Sequence, residues 1–353
     1  MDIIPTMSAT PLPEDAGLRE AQLWSTPIRD LGLTLKGTRL EPIIAEFEAE
    51  LEQCGFRRLK PRFYLSTEWG VPFETVAIAL PFYLAKPELT EMHARRFGHV
   101  EGMSRQDVLK YLRHEMGHVV NYAYRLFEDV EWIRLFGPIT QPYREEYHPK
   151  PFSRRFVQHL PGWYAQKHPD EDFAETFAVW MTPGSNWREE YAAWPEAMAK
   201  LEFVEQAVRT TSEKDPVVTD AELDEDVAEI GYSIQDLYEH SGDQDLQLPA
   251  GLDGSLRAIF EELEQRPDRN EDAPFRPAAA LINRLEGDLM GNVYRWTGHF
   301  PERTRILIRH LAERAASMRL KYEEEDETSV TVAITTIVTA LAMNHVDRGT
   351  YLP

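Results

Sequence analysis

Two histidines four residues apart, His114 and His118, with Glu115 directly after the first, sit inside a segment whose apolar residues recur at three and four: Val108, Leu109, Leu112, Met116, Val119, Val120 and Ala123. That period predicts a helix from about Arg105 to Phe127, opened by a capping pair of Ser104 and Asp107. Residues four apart share a helix face, so both imidazoles can reach one ion while Glu115 points at its open side. Any fold of this chain has to bury that helix and still leave room for a polar site.

Metal-assisted hydrolysis asks for this pattern: two neutral nitrogen ligands, an ion that lowers the pKa of bound water, and a carboxylate that takes the proton. Glu115 is the candidate general base. The chain has one cysteine, Cys54, which forms no internal disulfide and supplies no thiolate site. A metal must therefore be held by histidines and carboxylates, and the expected ion is Zn2+. The lone thiol fits packing and a cytoplasmic location.

A catalytic zinc usually has three protein ligands. Asp170-Glu171-Asp172-Phe173-Ala174-Glu175-Thr176-Phe177-Ala178 follows Pro169, favoured in a first helical turn, and stops before Pro183-Gly184. Glu171 and Glu175 share a face; one can bind the ion and the other can orient a ligating histidine. Taken alone, the pair also fits a solvated helix face. His168, three residues before Glu171, is an alternative ligand or acid. The remaining histidines read as surface or satisfied groups.

The segment His114-Glu115-Met116-Gly117-His118-Val119-Val120-Asn121-Tyr122-Ala123-Tyr124, with Glu171-Asp172-Phe173-Ala174-Glu175-Thr176-Phe177 after it, resembles the gluzincin metallopeptidases. It is especially similar to the catalytic domain of the anthrax toxin lethal factor and to a group of bacterial zinc-binding metallopeptidases. The resemblance covers roughly residues 60–200. It implies Glu171 as the third zinc ligand, Glu175 as support for His114, and Tyr164, seven residues before Glu171, as a group near the metal that stabilises the oxyanion. Packing is the other reading of Tyr164. The resemblance also implies an edge strand for extended substrate, a place that Val76-Ala77-Ile78-Ala79-Leu80 fits as well as it fits a buried core strand. The stretch from Tyr143 to Phe156 is expected to form part of the cleft.

Length and charge divide the chain. Its 353 residues suggest two domains. From 213 to the end there are 29 acids against 14 bases, so most of the net charge of −22 lies there, while seven of eight tryptophans precede residue 200. The expected organisation is an extended arm over 1–25, a zinc metallopeptidase domain over 26–210, a linker over 211–220 and an acidic helical domain over 221–353. The fold class is α+β, a zincin-like domain with an antiparallel-edged sheet and a mostly helical C-terminal domain. Strands are expected at 63–65 and 75–84, with Pro81 breaking or edging the second. A helix is expected over 40–54, and further helices near 221–240, 254–265, 276–296, 301–322 and 329–346.

The acidic balance argues against nucleic acid and anionic membrane as partners. No run approaches 18 apolar residues, the nearest being 331–343 with its threonines, so no membrane span is expected. No secretory signal is expected from the Pro- and acid-rich first 20 residues, and the sequence holds no Gly-rich phosphate loop, G-x-S-x-G elbow or CxxC pair. The expected partner is a peptide or protein substrate cut at a peptide or isopeptide amide. Two rival readings are a non-catalytic zinc-stabilised protein-binding module and an amidase acting on a small peptide-like metabolite. The acid run 323–327 reads as a solvated loop, a docking surface through which the acidic domain binds a basic protein partner, or an autoinhibitory cover.

Overall fold

The computed structural model describes residues 20–97, 99–144, 147–240, 252–264 and 274–351. The arm expected over 1–25 lies outside them as far as residue 19, as does the acidic stretch 265–273. The fold is mixed and mostly helical, 59% helix with few strands, as an α+β class allows.

In the first region α1 (Leu40–Gln53) buries Leu40, Ile43, Ile44, Phe47 and Leu51, the stripe that its three-and-four period predicts. Cys54 follows it. Burial and the neighbouring Glu50 carboxylate push its thiol up to about 11, so it stays protonated and serves packing. Strands β1 (Arg62–Ser66) and β2 (Ala77–Pro81) pair in parallel, from Arg62 opposite Ala77 to Ser66 opposite Pro81. The antiparallel edge that was expected amounts to one bridge, Gly70 opposite Ala79. After β1 the chain passes to the far side of β2, pairs there at Gly70 and returns. Residues 76–80 are therefore buried between neighbours and form a core strand, not an open edge. The second strand ends at Pro81, whose ring removes a ladder donor, and Phe82–Leu84 turn into a 3-10 helix.

Helix α2 (Pro87–Phe97) leads to α3 (Arg105–Ala123), which carries the histidine pair. The capping box forms as expected: Ser104 Oγ accepts from Asp107 N–H at 3.1 Å, and Asp107 Oδ2 accepts from Ser104 N–H at 3.1 Å. The helix stops at Ala123, four residues short of the expected end, because Arg125 enters the left-handed region at φ 50°. Helices α4 (Val130–Phe136), α5 (Pro169–Met181), α6 (Pro195–Thr211) and α7 (Ile234–His240) complete the region.

Packing of α3 against α5 turns on Gly117. A Cβ there would stand 2.6 Å from Ala174 Cα and 3.0 Å from its carbonyl oxygen, so only glycine lets the two backbones approach this closely. Two buried ion pairs hold the helices from outside. Arg113 on α3 donates two bonds of 2.8 Å to Glu50 on α1, and Lys200 on α6 reaches Asp172 on α5 at 2.6 Å.

The stretch after α6 does not leave this region. Val217 and Val218 donate to Ala123 O, Val76 donates to Asp220 O, and Val227 donates to Leu65 O. Val227, Ile230, Ile234 and Tyr238 join the first apolar core. Residues 211–220, expected as a linker, are thus hydrogen-bonded onto the first region, and much of 221–240, expected as the first helix of the acidic domain, lines its core; only Ile234–His240 is helical there.

A second apolar core begins at Leu252. It is built by α8 (Leu252–Glu264), β3 (Phe275–Pro277), α9 (Ala278–Arg284), α10 (Glu286–Thr297), α11 (Pro301–Ser317), β4 (Lys321–Glu323) and α12 (Glu327–Arg348), with β3 antiparallel to β4. The helical pattern expected over 276–296 divides into a short strand and two helices. The acid run is partly used inside the fold: Glu324 pairs with Arg276 at 2.7 Å, Glu327 pairs with Arg284 at 2.5 Å, and Glu323 is buried.

Helix α12 with the turn before it (Glu324–Arg348) is long and apolar enough by composition to cross a membrane, with a mean hydropathy of 1.5, despite its threonines. One stripe of it, Val330, Ile334, Val338, Leu341 and Ala342, is buried in the second core, while only 28% of its apolar window is buried.

Gly117→Ala is expected to destabilise the fold by about 1–3 kcal/mol, the usual penalty for forcing a methyl into a filled contact. Chemical denaturation of wild type and variant measures it. An unchanged midpoint would show that α5 can back away at no cost.

Candidate metal centre

Helix α3 presents His114 and His118 one turn apart, and the first turn of α5 presents Glu171 opposite them. His114 Nε2 lies 3.1 Å from Glu171 Oε2, His118 Nε2 lies 3.3 Å from the same oxygen, and the two imidazole nitrogens are 3.3 Å apart. All three residues are buried, and together they can hold a metal ion. A tetrahedral site with bonds of about 2.0–2.1 Å has edges of roughly 3.3 Å, so the triangle matches that coordination.

The outer atoms explain why these three face one another. His114 Nδ1 lies 2.8 Å from Glu175 Oε1, while Glu175 Oε2 accepts from the backbone N–H of Leu160 at 2.8 Å and of His159 at 3.2 Å. His118 Nδ1 lies 3.0 Å from Asp170 Oδ2. With the outer nitrogen of His114 hydrogen-bonded to Glu175 and that of His118 lying beside Asp170, each Nε2 is left to face the centre. Glu171 Oε2 is buried and has no hydrogen-bond partner. Three acceptors converging without a donor repel one another unless a cation or protons lie between them.

Four carboxylates, Glu115, Asp170, Glu171 and Glu175, and two imidazoles share this buried volume. Burial opposes protonation of His114, yet Glu171 and Glu175 outweigh it and raise the imidazole to about 9. Burial likewise opposes protonation of His118, and Asp170 and Glu171 carry it well above its usual range. Burial favours the neutral form of Glu171, but the imidazole of His118 holds it well below the usual carboxylate range. Burial pushes Glu115 up to about 7, with His114 and His118 pulling the other way. Glu115 is therefore poised near neutrality, where a general base works best.

A cleft of about 850 Å³, open to solvent, is lined by His114, Glu115, His118 and Glu171, with Trp69, Val71, Phe73 and Ile139 forming an apolar wall. Tyr164 also lines it, its ring 5.6 Å from that of His114. Of the stretch 143–156, Tyr143 reaches this cleft, while Tyr147, His148 and Pro149 line a separate crevice against Gly298 and His345. His168 is no ligand: Nδ1 accepts from Asp170 N–H at 3.2 Å as the cap of α5, and Nε2 donates to Gln141 O at 2.8 Å.

Sequence reasoning gave no role to Asp170, Asn121, Tyr122 or Gly117, and placed Tyr143 only in the cleft lining, not on a ligand carboxylate. Asn121 Nδ2 donates to Asp170 Oδ1 at 2.7 Å and Tyr122 OH donates to Asp170 Oδ2, which fixes the carboxylate behind His118. Asp170 reads in sequence as a first-turn acid complementing the helix dipole. Its position directly before Glu171 was the only signal of another role.

A metal ion has to displace protons from His114 and His118, both raised in pKa. At pH 7 uptake is expected to release between one and two protons per ion, with affinity falling about tenfold per proton for each pH unit below neutrality. Calorimetry in buffers of different ionisation heat measures the count, and zero release would contradict it. Glu171→Ala should lose most of the bound metal, measured by elemental analysis, and Glu175→Ala less. A larger loss for Glu175→Ala would exchange the two roles. No protein-family model, curated protein or solved structure matches this chain, so the centre is read from its geometry.

Proposed function

We propose that this protein is a zinc-dependent hydrolase of peptide or isopeptide amide bonds, with His114, His118 and Glu171 as zinc ligands and Glu115 as general base. The observation that carries this reading is the convergence of three buried acceptor atoms within 3.1–3.3 Å of one another at the floor of an open cleft. Two nitrogens and one oxygen make the donor set of a catalytic rather than a closed structural zinc site, since a fourth position stays free. When bound, zinc supplies a Lewis acid for the substrate carbonyl and lowers the pKa of water.

The side chains divide the remaining work. Glu115 accepts the proton of the attacking water and hands it to the leaving amine. Its carboxyl, raised to about 7, is basic enough for the first transfer and acidic enough for the second. Tyr164, whose phenol is held protonated by burial and by Glu171 nearby, donates a hydrogen bond to the developing oxyanion. Glu175 and Asp170 keep the imidazoles turned so that neither ring leaves the centre during the reaction.

Glu115→Gln is expected to keep stoichiometric zinc and to lower hydrolysis of a peptide library by about 10²–10⁴-fold, the share that a general base supplies. Equal turnover by zinc-loaded wild type and variant would exclude this role, and full zinc with no turnover by either would favour a binding module.

A further inference from the structure

Each ligand side chain has an inner atom facing the centre and an outer atom that something must hold. Glu175 holds the outer nitrogen of His114, and Asp170 Oδ2 lies 3.0 Å from that of His118. For Glu171 the corresponding group is Tyr143, whose hydroxyl donates to Glu171 Oε1 at 2.7 Å. We propose that Tyr143 is a positioning residue for the metal: it ties up the outer oxygen of Glu171, so that this carboxylate presents Oε2 alone. This rests on the reading of His114, His118 and Glu171 as ligands.

A carboxylate has two oxygens, and one left free can swing onto the ion and raise its coordination from four to five. The position it takes is the one that substrate and water need. In this structure Oε2 faces the two imidazoles while Oε1 is engaged by a phenol, a division that leaves a single carboxylate oxygen for the centre.

The placement of Tyr143 differs from that of the other two partners. Asp170 and Glu175 are buried on α5, whereas Tyr143 is 49% exposed at the rim of the cleft. Its ring is set by groups just before the ligand helix: Lys167 Nζ lies 4.4 Å from its centroid, and the His168 ring, which caps α5, lies 5.3 Å away. Tyr164 OH is 3.4 Å from Tyr143 OH. The two phenols are therefore adjacent but divide the labour, one on the ligand carboxylate and the other beside the reaction space.

The test compares Tyr143→Phe with Tyr164→Phe by zinc affinity and by the visible spectrum of the cobalt-substituted protein, in which tetrahedral Co2+ absorbs more strongly than five-coordinate Co2+. Removing one oxygen from a half-exposed side chain leaves the core intact, which near-ultraviolet circular dichroism verifies. Tyr143→Phe is expected to weaken zinc binding by about 10–100-fold, the range for loss of an outer-shell partner, and to lower the cobalt absorbance. Tyr164→Phe is expected to change neither. If wild type binds zinc and Tyr143→Phe matches it in either readout, the role is overturned while the centre stands. If wild type binds no zinc, the centre itself falls and this role with it.

Discussion

The centre depends on two helix backbones meeting at one glycine. The carboxylates of α5 can reach the imidazoles of α3 only because nothing larger than hydrogen lies between Gly117 and Ala174. The first two turns of α5 then place three carboxylates around the pair: Asp170 behind one histidine, Glu171 between both, and Glu175 behind the other. Helical spacing explains how one element does this. Glu171 and Glu175, four apart, lie along one face and grip His114 from either side, while Asp170, one residue earlier, points toward His118 one turn along α3.

Such a concentration of charge is costly to bury, and the surrounding fold answers it in two ways. The carboxylates behind the histidines take hydrogen bonds from neutral donors: the Leu160 and His159 amides on the outer oxygen of Glu175, Asn121 on the outer oxygen of Asp170 and Tyr122 on the oxygen that faces His118. The flanking charges are paired among themselves, Arg113 with Glu50 and Lys200 with Asp172. Removing one member of such a buried pair leaves its partner uncompensated, at a cost of about 3–5 kcal/mol, so these pairs restrain where the helices can sit. Glu171 Oε2, facing the two Nε2 atoms, is left without a hydrogen-bond partner by these neighbours.

What could be read from the sequence was local. The histidine spacing, the period of α3, its capping box and the glutamate pair after Pro169 all report on one or two helical turns, and the structure places each where its pattern points. Contacts between distant segments left weaker traces. The parallel pairing of β1 and β2 depends on a crossing of β2 that no alternation of residues encodes. The return of Val227, Ile230, Ile234 and Tyr238 to the first core looked like the start of a new domain, because acidic composition dominates that stretch. Tyr143 lay 28 positions from its acceptor on a segment with no periodicity, and Asp170 was hidden by an ordinary explanation for an acid in a first turn.

The second region meets the first at segments that frame the cleft rather than at its floor. Gly298, the left-handed cap of α10, lies directly against Gly162, two residues before Tyr164, so closely that a side chain at Gly298 would strike the opposing backbone. Tyr294 OH reaches Glu101 at 3.4 Å, next to the start of α3, and Arg305 donates to the backbone carbonyl of Arg96 at the end of α2. Gly162 is itself anchored by Tyr147 OH on its carbonyl at 2.8 Å. Behind the loop that carries Tyr164 there is thus backbone rather than solvent. In the oxyanion role proposed for Tyr164 such backing counts, because a donor fixed beforehand does not have to reorganise when the charge appears.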